Sequence, residues 1–218
     1  MKEIIIIGSG AVAAEVLMFI DDMNRASKEK IEIRGLIDDN LENYETNSER
    51  YGFHHRYLGT TDSYEFSATD FFVLGLANIE ARGRILKKVK GKGPAFVNIV
   101  HPSAQISRSA KIGIGNIIYP NCVIGPACRL GDHNLLTSFS FISHDSIIGD
   151  NNFFATAGLS GNVEVGDNNF FGIRSVILPS IHIGSDNILQ AGMVVDKNVK
   201  DHETVFYRYK EKVSIITR

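Results

Sequence analysis

From Val100 to Val195 a large apolar residue returns every six positions: Val100, Ile106, Ile112, Ile118, Ile124, Leu130, Leu136, Ile142, Ile148 and Phe154, then Leu159 after one five-residue step, then Val165, Phe171, Ile177, Ile183, Leu189 and Val195. Few backbones have that period. A helix brings residues 3.6 apart to one face and a strand every second residue, so a period of six calls for short strands joined by turns, each sending one side chain inward. Hydrophobic residues make up 44% of the chain, which puts an unbroken series of this length by chance at on the order of one in a million.

A second register runs beside the first. Asn116, Asn134, Asn152, Asn169 and Asn187 follow one another at steps of 18, 18, 17 and 18. Three six-residue units therefore make one coil, and the expected architecture is a triangular parallel β-helix of about five coils with its asparagines stacked as a ladder. Cys122 and Cys128, the only cysteines, share the fifth position of their units with Ala104, Ala110, Ser140 and Ser146. They read as small inward residues, too few for a disulfide scaffold or a four-thiolate zinc site.

The first hundred residues alternate differently. Lys2–Ile7 is a β-branched run ending at Gly8, and 11–24 carries Val12, Val16, Leu17 and Ile20 at helical spacing. Strands are expected at 31–39 and 71–76 and a second helix at 78–90, an order that implies a parallel sheet with crossover helices. The fold class is thus an α/β, Rossmann-like N-terminal domain (1–98), an all-β parallel β-helix of hexapeptide repeats (99–200) and a tail (201–218). A net charge of −2 offers no pull toward nucleic acid or an anionic membrane. The N terminus, MKEIIIIGSG, has too few apolar residues for a signal-peptide core or a membrane span, so the expected location is the cytoplasm.

Several motifs then occur in a particular order: GSGAVAAEV after the first strand, LIDD, NIVHPSA at the domain junction, SHDSIIGD, LSGNVEVG and GIRSVILPSIHIG. Over nearly its whole length the chain resembles the sialic acid O-acetyltransferase-like hexapeptide acyltransferases, a group that includes N-acetyltransferases of UDP- or GDP-linked 4-amino-sugars. That resemblance implies a left-handed coil, a homotrimer, acetyl-CoA as co-substrate in a groove between two β-helices, and a nucleotide-activated amino-sugar held by the α/β domain. It assigns His144 as general base and Asp145 as the carboxylate that orients it. It places the sugar diphosphate at Gly8, Ser9 and Gly10, the base or ribose at Asp38 and Asp39, and the donor at Gly161, Ile173, Ala191 and Gly192. No metal is implied.

The residues leave other readings open. His144 occupies the third position of its unit, where other coils carry Pro102, Arg108, Pro120, Pro126, Asp132 and Asp150, so it sits at a corner and also reads as a solvated histidine. Asp145 reaches it only if the backbone turns there, since successive strand residues face opposite ways. GSGAVA fits a tight turn or an NAD fingerprint with Asp38 or Asp39 on the ribose. A γ-type carbonic anhydrase would need three converging histidines, and His133, His144 and His182 fall at three different unit positions. The β-helix could also be a non-catalytic trimerisation scaffold, and the acylated atom could be oxygen. Against the family pattern, Val12 replaces a frequent histidine, Phe153 a second histidine, Thr137 an asparagine, and Tyr207-Arg208-Tyr209-Lys210 the usual C-terminal segment.

Overall fold

Every apolar position of the six-residue register is the second residue of a two-residue strand, and from Ile118 onward every one is buried. Val100, Ile106 and Ile112 are only half-buried because the first coil has a neighbour on one side alone. Each fully buried side chain contributes roughly 1.5–3 kcal/mol, so this inward column is the main stabilising term of the C-terminal part. The computed structural model, which describes residues 2–207, is there a parallel β-solenoid of the left-handed β-helix type. Face 1 is a seven-stranded sheet from Ile99–Val100 to Thr204–Val205, face 2 a six-stranded sheet from Gln105–Ile106 to Val194–Val195, and face 3 a five-stranded sheet from Lys111–Ile112 to His182–Ile183. Face 1 therefore continues five residues past the boundary expected at 200, because Thr204 and Val205 pair with Ile188 and Leu189.

The corners between faces explain how so tight a coil closes. All non-glycine residues with positive φ among those described lie in the solenoid: thirteen of them, from Asn121 to His202, one per corner. Left-handed backbone costs an ordinary residue roughly 1–2 kcal/mol and asparagine or aspartate less, so Asn121, Asn151, Asn162, Asn168, Asp145 and Asp186 are well matched to it. Ala127, Phe139 and Arg174 hold the same conformation because the stacked neighbours dictate it.

Inside, the asparagine ladder begins one rung earlier than the sequence suggests. The Asn98 Oδ1 accepts the backbone N–H of Asn116 (2.8 Å), and the same bond repeats from Asn116 to Asn134, to Asn152, to Asn169 and to Asn187. The side-chain amides of Asn116, Asn134 and Asn152 donate to the carbonyls of Gly131, Gly149 and Gly166, which satisfies groups that would otherwise be buried unpaired. The thiols of Cys122 and Cys128 also point inward, donating to Thr137 O (3.2 Å) and Ser143 O (2.9 Å). Burial pushes the Cys122 thiol up to about 11 and raises that of Cys128, so neither is nucleophilic at neutral pH.

The five-residue step is a corner that has lost one residue between Phe153–Phe154 and Gly158–Leu159. Thr137 patches it. Its hydroxyl accepts the N–H of Thr156 (2.8 Å) and donates to Phe154 O (3.2 Å), so Thr137 and the irregular coil are one feature. Thr137→Val, which keeps the shape and removes both bonds, is expected to cost about 1–2 kcal/mol. The check is a lower urea midpoint at unchanged slope, with Thr137→Ser restoring it.

The N-terminal part is a four-stranded parallel sheet of order β2-β1-β3-β4, built from β1 (Lys2–Ile7), β2 (Ile31–Ile37), β3 (Phe71–Leu74) and β4 (Ala95–Phe96). Strand alternation divides its core. Ile4 and Ile6 pack with Val12, Val16, Phe19 and Ile20 of α1 (Ala11–Ala26), whereas Ile5 and Ile7 pack with Ile85, Leu86 and Val89 of α3 (Ile79–Val89). α3 starts one residue later than expected because Asn78 caps it, accepting the Ala81 N–H at 2.7 Å. β3 ends at Leu74, and α2 (Leu41–Tyr51) has no counterpart in the sequence reading.

This unit sits on face 1. The outward residues Ile99, Ile117 and Leu135 are fully buried under it, while further along the face Phe153 and Phe170 are half-buried and Ile188 is exposed. HPSA works at this seam: His101 Nε2 meets Asp22 Oδ2 of α1 (3.1 Å), and its Nδ1 meets the Ser103 hydroxyl (2.8 Å). On the α3 side the buried Arg82 donates to Leu76 O, Asn151 Oδ1 and His133 O. Burial pulls Arg82 down to about 10, so it stays protonated and clamps the two parts. His133 packs edge-on against Phe96 at 4.7 Å, and burial, then the Arg82 charge, lowers it to about 4.

Candidate active site

His144 projects from the corner that links Phe141–Ile142 on face 2 to Ile147–Ile148 on face 3. Its backbone is fixed by the next coil, since Asn162 N–H donates to His144 O at 2.9 Å. The turn on which the Asp145 role depended is present: Asp145 has φ 59°, and this left-handed step swings its carboxylate back so that Oδ2 lies 2.8 Å from His144 Nδ1. A carboxylate only accepts, so Nδ1 carries the proton of a neutral imidazole and Nε2 carries the lone pair. Nε2 has no hydrogen-bond partner among the described residues, and the side chains of His144 and Asp145 are 62% and 61% exposed. The arrangement can accept a proton at Nε2 and stabilise the resulting imidazolium.

Gly161 belongs to the same corner, one coil on. A Cβ added there would lie 2.6 Å from His144 Cε1 and 2.7 Å from Nε2, so the ring rests on the bare glycine backbone. Of the expected donor residues, Gly161 alone meets His144. Ile173, Ala191 and Gly192 occupy the corner at the other edge of face 2, where Gly192 N–H donates to Ile173 O (2.8 Å) and Ile173 is exposed. Tyr207 reaches this second corner and donates to Gly192 O at 3.3 Å. Arg208, Tyr209 and Lys210 lie outside the described residues.

The third group is at the tips of β1 and β2. Gly8 has φ 104°, and a Cβ there would come 2.8 Å from Gly75 O, so the turn needs glycine. Ser9 is buried, its N–H and hydroxyl both donating to Asp38 Oδ2 (2.9 and 2.6 Å). Gly10 opens α1, whose first turn has neither a side-chain cap nor an acidic residue, leaving a positive helix end able to face an anion. Asp39 accepts from the N–H and hydroxyl of Thr61, both at 2.7 Å. Gly8, Asp38 and Asp39 line one cavity of about 340 Å³ together with Thr61, Leu76, Arg84 and Lys88. Val12 is turned into the core.

A second cavity of about 800 Å³ lies between α3 and face 1, and sequence reasoning missed it. Phe153 and Phe170 form part of its wall, their rings 5.3 Å apart and edge-to-face. Among the described residues no three His, Cys, Asp or Glu side chains converge as a metal site, and no helix is long and apolar enough to cross a membrane.

No known family profile matches the chain, and no curated protein does. Solved structures do. The acetyltransferase domain of PglB from Neisseria gonorrhoeae, crystallised with acetyl coenzyme A, superposes with a TM-score of 0.74 at 19% identity, covering 93% of this chain and 95% of that one. A histidine mutant of perosamine N-acetyltransferase from Caulobacter crescentus, in complex with CoA and GDP-perosamine, gives 0.74 at 22% identity with 98% of both chains covered. The chain has the fold of these acetyltransferases. WeeI from Acinetobacter baumannii shares it as well, at a TM-score of 0.74 and 22% identity over 93% of this chain and 96% of that one. In each case the match spans the α/β unit and the solenoid together, as the coverage requires.

Proposed function

We propose that this protein is an acetyl-CoA-dependent N-acetyltransferase that modifies a nucleotide-linked 4-amino-sugar for surface glycan synthesis. The observation that carries it is the His144–Asp145 pair, with Nδ1 held at 2.8 Å by the carboxylate and Nε2 open above Gly161. The reaction asks for that geometry. The neutral sugar amine attacks the thioester carbonyl while His144 Nε2 takes its proton; the tetrahedral intermediate collapses, the C–S bond breaks, and the imidazolium returns the proton to the departing CoA thiolate. The products are an amide and CoA-SH. Asp145 stabilises the transient imidazolium, and a backbone N–H near Ile173 or Ala191–Gly192 would hold the oxyanion.

In this reading residues 1–98 form a Rossmann-like nucleotide-sugar domain and the β-helix from residue 99 to Val205 the acyltransferase domain, in a cytoplasmic enzyme. His144 with Gly161 and Ile173 with Gly192 occupy opposite edges of face 2, so one copy supplies the base and another the rest of the donor groove, which fits a homotrimer. The fold neighbours support donor and acceptor: one is described with acetyl coenzyme A and another with CoA and GDP-perosamine. The test is free-thiol release from acetyl-CoA against a panel of UDP-, GDP- and TDP-linked amino-sugars. Turnover with one of them is expected; thiol release with none, or only with hydroxyl acceptors, overturns the N-acetyltransferase assignment.

A further inference from the structure

Among the described residues only one left-handed corner carries a phenyl ring. Phe139 holds a φ of 64°, a conformation that suits glycine and asparagine and is uncommon for a bulky side chain. The stacked coils dictate that backbone whatever side chain stands there, so the turn gains nothing from an aromatic group. The ring is 65% exposed and joins neither packed core. A strained backbone and an uncovered phenyl on one residue point to a role outside its own coil. Face 2 shares this character. Its outward residues include Val123, Phe141, Val176 and Val194 and none is charged, whereas face 3 presents Lys111, Arg129, Glu164 and His182.

The cover that fits is a second copy of this chain. An apolar face without charge is suited to contact between like copies, and base and donor residues already stand on opposite edges of face 2. In a ring closed about an axis parallel to the solenoid, equivalent coils lie at equal height. Phe139 and His144 belong to one coil, on opposite edges of face 2, with only residues 140–143 between them. Such a ring brings Phe139 of one copy level with His144 of the next. Ile173 and Gly192 stand on the same edge as Phe139 in later coils, so a donor lying along that edge toward the base ends at Phe139. The acyl carbonyl is attacked beside His144 Nε2, and whatever extends beyond it meets the ring. We propose that Phe139 of one copy closes the donor groove against the His144 corner of the next and limits the acyl group to acetyl. This role rests on the homotrimeric acetyltransferase proposed above and deepens it by naming the residue that selects the donor.

Two measurements on the full chain test it. In the first, Phe139→Cys and His144→Cys are combined in one chain and treated with a short bis-maleimide, whose span replaces the two lost rings; Cys122 and Cys128 are buried. Covalent dimers and trimers are expected on a denaturing gel, far beyond what either single variant gives. A double variant that stays monomeric there overturns the placement. In the second, thiol release in the presence of the amino-sugar acceptor compares acetyl-, propionyl- and butyryl-CoA. The unaltered chain should prefer acetyl to butyryl by about tenfold or more. Phe139→Ala should raise the butyryl-to-acetyl ratio of kcat/KM by about tenfold, while Phe139→Leu, which keeps bulk at the same place, should hold it near that of the unaltered chain. An unchanged ratio in Phe139→Ala, or equal use of butyryl-CoA by the unaltered chain, overturns the acyl limit. Crosslinking without thiol release from any acyl-CoA overturns the acetyltransferase reading, and the acyl limit with it, and leaves Phe139 at its neighbour's corner.

Discussion

His144→Ala is expected to lower kcat for acetyl transfer by roughly a hundred- to ten-thousand-fold, the range for loss of a general base, with little change in stability. The two halves of that expectation have separate causes. The imidazole is mostly exposed and among the described residues its only side-chain bond is to Asp145, so its removal leaves no cavity and no buried orphan; surface changes of this kind stay within about 0.5 kcal/mol. The corner itself is held by backbone, through His144 O and Asp145 N–H to the coils on either side. Asp145→Asn should be milder, because asparagine tolerates the left-handed backbone while losing the charge that stabilises the imidazolium. Steady-state kinetics beside a thermal melt checks both variants. Retention of most of the activity by His144→Ala would remove His144 from the mechanism.

The second large effect is expected from Gly161→Ala. A methyl at this position would sit 2.6–2.7 Å from His144 Cε1 and Nε2, closer than real Cβ contacts come, so the imidazole must swing off its seat. An ångström of misplacement costs on the order of a hundredfold. Gly161 does not have positive φ, so alanine adds no backbone strain and the protein should melt as before. A double-mutant cycle decides the cause: in the His144→Ala background the extra methyl has nothing to displace, and Gly161→Ala should then cost little. Additive losses would show that Gly161 acts through something other than the ring, such as the donor.

The apolar register of the solenoid was legible to the residue; its ends were not. Each position of the apolar register lands on a strand's inward residue because a six-residue unit has only one such place, and the asparagines land on a ladder because each buried Oδ1 meets the backbone N–H of the asparagine in the neighbouring coil. What escaped was built without repeats. α2, LENYETNSERY, buries no residue, so it carries no apolar stripe to reveal it; its signals were the caps, Asn40 whose Oδ1 accepts the Asn43 N–H and Gly52 in the left-handed region. The Asp145 contribution was undecidable from alternation alone, since it depends on a φ of 59°. The cavity under α3 joins Arg84 to Phe153 and Phe170, residues far apart in the chain, and only the outward half of each FF pair hinted at it.

The α/β unit covers the outward residues of face 1 at Ile99, Ile117 and Leu135 and stops short of Ile188. In a stack where each coil leans only on its neighbours, such one-ended cover makes local opening directional. Amide hydrogen exchange should be slowest around 117–136 and quicken toward Val205. The corner of His144, proposed as the base, lies next to the protected coils, and the corner of Ile173 and Gly192 lies in the part expected to open first. In the proposed mechanism the base is thus mounted on the stiff end of the spring, and the thioester would be met by the end that gives.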